Sequence, residues 1–198
     1  MYPEPIKRFI DVFSKLPSIG PRQATRLAFY LVNSGKSHIE EASKIIAGLK
    51  TIKICSECFF IHSNVDKLCN ICGDNNRRKD IVMIVEKETD LISIERTRKY
   101  NGRYLVLGEL TKSGVLESVQ KLRLSGLKNL IKNRDGQIEE IIIGINPTTY
   151  GDLNAMLISK EFQGLAKKIT RLGRGIPTGG EIEFADEDTL GQALERRN

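Results

Sequence analysis

Four cysteines are the residues most able to do chemistry here, and their spacing is Cys55-x2-Cys58-x10-Cys69-x2-Cys72. Each C-x-x-C turn brings two sulfurs within reach of one ion, and two such turns complete the closed tetrahedral sulfur shell of structural Zn²⁺. The expectation is one structural zinc per chain, with no coordination position left open for water. Two disulfides or a redox C-x-x-C are the alternatives, and nothing else in the chain indicates an oxidising compartment. His62 lies between the pairs and could replace one cysteine, but four sulfurs already saturate the ion, so it reads as a solvated loop histidine.

The next candidates are basic. Residues 1–54 hold nine Lys/Arg and four Asp/Glu, residues 55–79 hold four and three, and residues 80–198 hold eighteen of each. The net charge of +6 therefore sits almost entirely at or before the cysteine site, as expected if the N-terminal part meets an anionic partner. A solvated surface of modest positive charge is the plainer explanation. Arg22 and Arg26 stand four apart, just after Leu16-Pro17-Ser18-Ile19-Gly20-Pro21.

The third set is acidic. Glu86 ends a continuous β-branched run, Asp90 follows it, and Asp152 follows Asn146-Pro147-Thr148-Thr149-Tyr150-Gly151. Carboxylates clustered at strand ends bind Mg²⁺. Three scattered acids with no D-x-D pair make a thin set. No G-x-x-x-x-G-K-[ST] loop is present, so no nucleotide site is expected.

The elements that must position these residues follow from periodicity. Ile6, Phe9, Ile10, Phe13 and Leu16 predict a helix over 5–16, and Ala24, Leu27, Ala28 and Leu31 one over 21–33. Helix, L-P-x-I-G turn, helix resembles a helix-hairpin-helix, whose tight turn and helix start offer backbone N–H groups to a phosphate. Ile39, Ala42, Ile45, Ile46 and Leu49 predict a helix over 36–53. Residues 73–79 form a polar connector, and Arg77-Arg78-Lys79 is either a solvated linker or a DNA-facing edge.

From residue 80 the pattern alternates between strands (81–85, 104–107, 141–145, 168–172) and helices (90–99, 115–132, 152–164). Such alternation predicts a parallel α/β sheet. Glu181 to Phe184 reads as a short strand and 186–197 as a terminal helix. The fold class is α+β and multi-module: helix-hairpin-helix region 1–54, four-cysteine zinc finger 55–72, α/β domain 80–175 and C-terminal arm 176–198. No run of eighteen apolar residues is present, and M-Y-P-E-P has neither the basic nor the apolar region of a signal peptide. The expectation is a cytoplasmic protein with no membrane contact.

Taken together, the L-P-S-I-G-P-R-Q-A-T-R-L-A hairpin, the cysteine spacing, V-E-K-E-T-D-L-I-S-I-E and the tail T-R-L-G-R-G-I-P-T-G-G-E-I-E-F-A-D-E-D-T-L resemble the RecR recombination-mediator family across the whole chain. The resemblance implies that the α/β part is a Toprim domain. It implies a non-enzymatic DNA-repair role: acting with RecO and RecF to load RecA onto single-stranded DNA coated by SSB. It implies sequence-independent binding to single- and double-stranded DNA, as a homotetrameric ring clamp associated with the nucleoid. The family's basic hairpin positions fall on Arg22 and Arg26, and its Toprim acids on Glu86, Asp90 and Asp152. Ser18 stands where the family usually has glycine, Leu105 where it has histidine, Tyr150 where it has glutamate, and residues 109–117 replace a longer loop. Two other functions compete: a Mg²⁺-dependent Toprim nuclease, primase or topoisomerase, and a zinc-ribbon adaptor that binds only protein.

Overall fold

The computed structural model describes residues 2–111, 114–134, 136–195 and 197. The chain divides into two compact units, one ending at Ile52 and one starting at Lys53.

The N-terminal unit is helical: α1 (Glu4–Phe13), α2 (Pro21–Asn33) and α3 (Lys36–Gly48), followed by a 3-10 turn over Leu49–Thr51. Pro21 at the first position of α2 gives up an N–H that the helix would not use, and its fixed φ suits the start. The α1–α2 turn closes through the Ile19 N–H on the Leu16 carbonyl at 3.1 Å. It also forces Ser18 to a φ of +62°, in the left-handed region where a β-carbon is strained. The glycine usual in the family would take that conformation freely. Among the described residues of this unit only Ala24 and Ala28 are buried. The predicted apolar stripe of α1 is half-buried, and α3 buries no residue completely.

The second unit opens with a knuckle: β1 (Lys53–Ile54) pairs antiparallel with β2 (Ile61–His62), and the short helix α4 (Asn70–Gly73) follows. Neither the hairpin nor α4 is legible as periodicity, because each element spans only about one period of its pattern. The pairing draws His62 onto a strand. It is half-buried, and its Nδ1 accepts the Asn64 N–H at 3.2 Å, so it is not the solvated loop histidine expected.

Next come β3 (Ile81–Val85), α5 (Glu88–Arg96), β4 (Arg103–Val106), α6 (Ser118–Arg134), β5 (Ile138–Gly144), α7 (Thr149–Glu161) and β6 (Ala166–Arg171). The strands form a parallel sheet in the order β4-β3-β5-β6. Alternation along β3 feeds both faces. Val82 and Ile84 join Leu124, Leu127 and Ile131 from α6, Ile158 from α7 and Phe162 just past its end, while Met83 and Val85 join Leu91 from α5. Burying each of these large side chains contributes about 1.5–3 kcal/mol. Leu105, where the family usually has histidine, is fully buried in this core.

The segment Ile182–Phe184 is a 3-10 turn and not the expected strand. Among the described residues no neighbouring strand pairs with it, and the Phe184 N–H closes back on the Glu181 carbonyl at 3.2 Å. The terminal helix is α8 (Glu187–Glu195), and residues 196 and 198 of the expected helix and tail lie outside the described residues. So do Lys112 and Ser113 of the 109–117 segment. Among the described residues no helix is long and apolar enough to cross a membrane.

Candidate nucleic-acid interface and metal centre

Arg22 and Arg26 lie on the exposed face of α2, opposite the buried Ala24 and Ala28. Among the described residues neither guanidinium has a hydrogen-bond or ion-pair partner. Several arginines elsewhere are committed: Arg103 and Arg134 hold Glu57, Arg171 and Arg174 hold Asp152, and Arg123 donates to the Val106 carbonyl. The N-cap of α2 is Gly20, which has no side chain to cap the first-turn N–H groups. A helix start with a glycine N-cap and two unpaired arginines on its first turns is an arrangement able to receive a phosphate.

Cys55, Cys58, Cys69 and Cys72 come together, all buried, with ligand atoms within 4.8 Å of one another. Cys58 and Cys69 Sγ are 3.5 Å apart. Tetrahedral sulfurs at the zinc–sulfur bond length sit about 3.8 Å apart, so the donor set fits such an ion. Free sulfurs remain in all four, and no disulfide joins them. Hydrogen bonding from Cys58 drives the Cys69 thiol far down, and the same bond to Cys69 drives Cys58 up. His62 is not part of the cluster.

The knuckle is fastened to the sheet. The Val106 N–H on edge strand β4 donates to the Cys58 carbonyl at 2.8 Å. Arg103, on the same strand and 7 % exposed, donates to the Cys72 carbonyl at 3.1 Å and to Glu57 Oε2 at 2.5 Å. Phe60 and Ile71 pack against both the cysteines and the Met83/Val85 side of the sheet. The basic run after the knuckle is likewise tied to its own unit, Arg77 to Glu95 and Arg78 to Asp80.

The three acids lie at the carboxyl ends of the strands, where open α/β sheets carry their chemistry. The strand order reverses between β3 and β5, so the junction after those two strands is the switch point. Glu86 sits there, buried, with Oε1 accepting the Leu110 N–H at 3.2 Å and Oε2 accepting Asn146 Nδ2 at 3.3 Å. Asp90 caps α5, its Oδ2 accepting the Lys87 N–H at 2.9 Å. Asp90 also lines a cavity of about 300 Å³ with Asn146, Arg171 and Arg174. Asp152 lines an adjoining cavity of about 750 Å³ with Thr148, Thr149 and Arg174. It is held by Arg171 at 2.5 Å and by Arg174. Those guanidiniums, Arg174 foremost, hold its carboxyl below the usual range. Sequence reasoning missed Arg171, Arg174 and Asn146 as partners, since strand order alone brings them to the acids.

Gly151 positions Asp152: a β-carbon there would stand 2.0 Å from the Asn146 carbonyl oxygen, so only glycine fits. The Gly151 N–H then reaches the Thr148 hydroxyl at 3.0 Å to start α7. Tyr150, 44 % exposed on the first turn, has no base or acid bonded to its hydroxyl among the described residues.

A helical hairpin, a buried four-thiol knuckle and a parallel sheet with acids at its switch point define a multi-module protein of the Toprim class. Residues 80–173 match the Toprim domain, residues 6–47 match "RecR, helix-hairpin-helix" and residues 175–198 match "RecR, C-terminal". The chain is 39 % identical to the recombination protein RecR of Clostridium perfringens over 197 residues, 99 % of this chain and 97 % of that one. It is 37 % identical to RecR of Gloeobacter violaceus over 198 residues, 100 % and 98 % of the two chains. It is 38 % identical to RecR of Herpetosiphon aurantiacus over 199 residues, 98 % and 94 %. The chain belongs to the RecR family.

Proposed function

We propose that this chain is a DNA-binding recombination mediator in DNA repair, with no catalytic step of its own. The observation that carries the reading is the pair of exposed, unpaired arginines, Arg22 and Arg26, on the first turns of α2, whose N-cap is a glycine. They contact phosphates and hold single- or double-stranded DNA without reading bases. The relatives are each named recombination protein RecR. By the family's pattern the chain acts in the cytoplasm with RecO and RecF, loading RecA onto SSB-coated single strands.

The four modules then divide the work: 1–54 binds DNA, 55–72 holds one structural zinc, 80–175 is the Toprim domain and 176–198 serves assembly. Zinc, when bound by Cys55, Cys58, Cys69 and Cys72, supplies cross-linking and no reaction. The exposed apolar side chains of both chain ends, among them Val12, Ile45, Ile182 and Phe184, support assembly into a tetrameric ring.

The committed state of the strand-end acids speaks for mediation over Mg²⁺ chemistry. Metal-dependent cleavage needs several carboxylates free for the ion, and here Glu86 accepts two hydrogen bonds, Asp90 caps a helix and Asp152 is held by two arginines. Incubating the protein with end-labelled DNA and Mg²⁺ tests this. The expected result is a retarded complex that releases unaltered DNA; nicked, joined or extended product, abolished by Glu86→Ala, defeats it.

A further inference from the structure

We infer that Tyr30 is a stacking platform for an unpaired base, giving the α2 surface a single-strand-binding contact beside its phosphate contacts. The inference rests on the reading of Arg22 and Arg26 as phosphate ligands.

Tyr30 lies one helical turn beyond Arg26 and two beyond Arg22, so all three share one flank of α2. The core side of the helix is taken by Ala24 and Ala28, leaving Tyr30 69 % exposed. Ile19, Gln23, Arg26, Leu27 and Tyr30 line one groove of about 420 Å³, so the aromatic ring, a free guanidinium and apolar walls face the same space. Gln23 is held at its mouth, its Oε1 accepting the Gly20 N–H at 3.3 Å.

The exposed Tyr30 ring offers a face on which a base can stack, and charge complementarity selects the occupant. Residues 1–52 carry eight Lys/Arg against four Asp/Glu, so the unit holding this groove is net +4. A polyanion with exposed π-faces meets both requirements, and single-stranded nucleic acid is such a ligand; a duplex keeps its bases stacked internally. Arg26 fixes the backbone phosphate while the neighbouring base turns onto the ring.

The test uses the full chain and two probes, a fluorescein-labelled oligothymidylate and a blunt duplex. Tyr30→Ala should weaken oligothymidylate binding by roughly 5- to 100-fold, leave duplex binding within about twofold, and Tyr30→Phe should restore it. An oligonucleotide carrying 5-iodouracil should photocross-link to the peptide containing Tyr30. Unchanged oligothymidylate affinity in Tyr30→Ala, or a cross-link elsewhere, overturns the inference. So does a change of molar mass in Tyr30→Ala by light scattering, which assigns the face to a second copy of the chain. Arg22→Ala/Arg26→Ala separates the two readings. If it weakens both probes while Tyr30→Ala weakens neither, the phosphate contacts stand and the stacking falls. If neither variant weakens either probe, both fall.

Discussion

Arg171 donates from Nη2 to Oδ1 of Asp152 at 2.5 Å, tying the end of β6 to the first turn of α7. Arg174 grips the same carboxylate from the following loop. The acid that the sequence offers for a metal is therefore a strut between two elements. Its pKa is depressed, by Arg174 first and Arg171 second. A depressed folded-state value gives stability that is complete above the unfolded value and lost as pH falls through the folded one. Asp152→Asn should then be less stable than the parent at pH 7, with the gap closing as pH drops below about 4. Urea titrations across that range measure it, and a gap that stays constant to pH 3 contradicts the strut.

The cysteine site should hold one zinc per chain. Because the knuckle covers edge strand β4 through Val106, Arg103 and the shared Phe60 and Ile71, metal loss should destabilise the Toprim sheet as well. Elemental analysis should give one equivalent of zinc, Cys55→Ala should be poorly soluble, and chelator should lower the melting temperature of the whole second unit. Zinc-free, fully folded protein with an unchanged melting temperature counts against it. Thiol protons compete with the ion, so release should be easier at acid pH.

Ser18→Gly should stabilise the helical hairpin by about 0.5–1 kcal/mol, since a φ of +62° strains serine and not glycine. Thermal denaturation of the two proteins side by side decides it; a loss of stability in the glycine variant means that the serine side chain makes a compensating contact.

Ile182 and Phe184 are 69 % and 80 % exposed, which a solitary chain does not favour. Replacing both by serine should lower the molar mass measured by light scattering and weaken retention on closed-circular DNA more than on linear DNA. A parent protein that is monomeric at tens of micromolar, and equally retained by both forms, removes the clamp.

How much of this was legible depends on range. The cysteine site was readable because its four ligands are close in sequence, and the parallel strands because Ile81 to Val85 and Ile141 to Ile143 are buried on both faces. The exposed placement of Arg22 and Arg26 on one flank of α2 was readable from their four-residue spacing; their phosphate role is a proposal. What stayed hidden was tertiary. Nothing in the sequence couples Asp152 to Arg171 and Arg174, or Glu86 to Asn146, until β5 and β6 are laid beside β3. The strand expected at Glu181 to Phe184 failed for a related reason: its composition suits a strand, but no neighbour among the described residues pairs with it.

The account turns on the hairpin as the DNA site, and the salt dependence of duplex binding by Arg22→Ala/Arg26→Ala tests it most directly. Weaker binding to every sequence is predicted, with the log–log salt slope shallower by roughly one unit per lost phosphate contact. Affinity and slope identical to the parent protein would contradict the account.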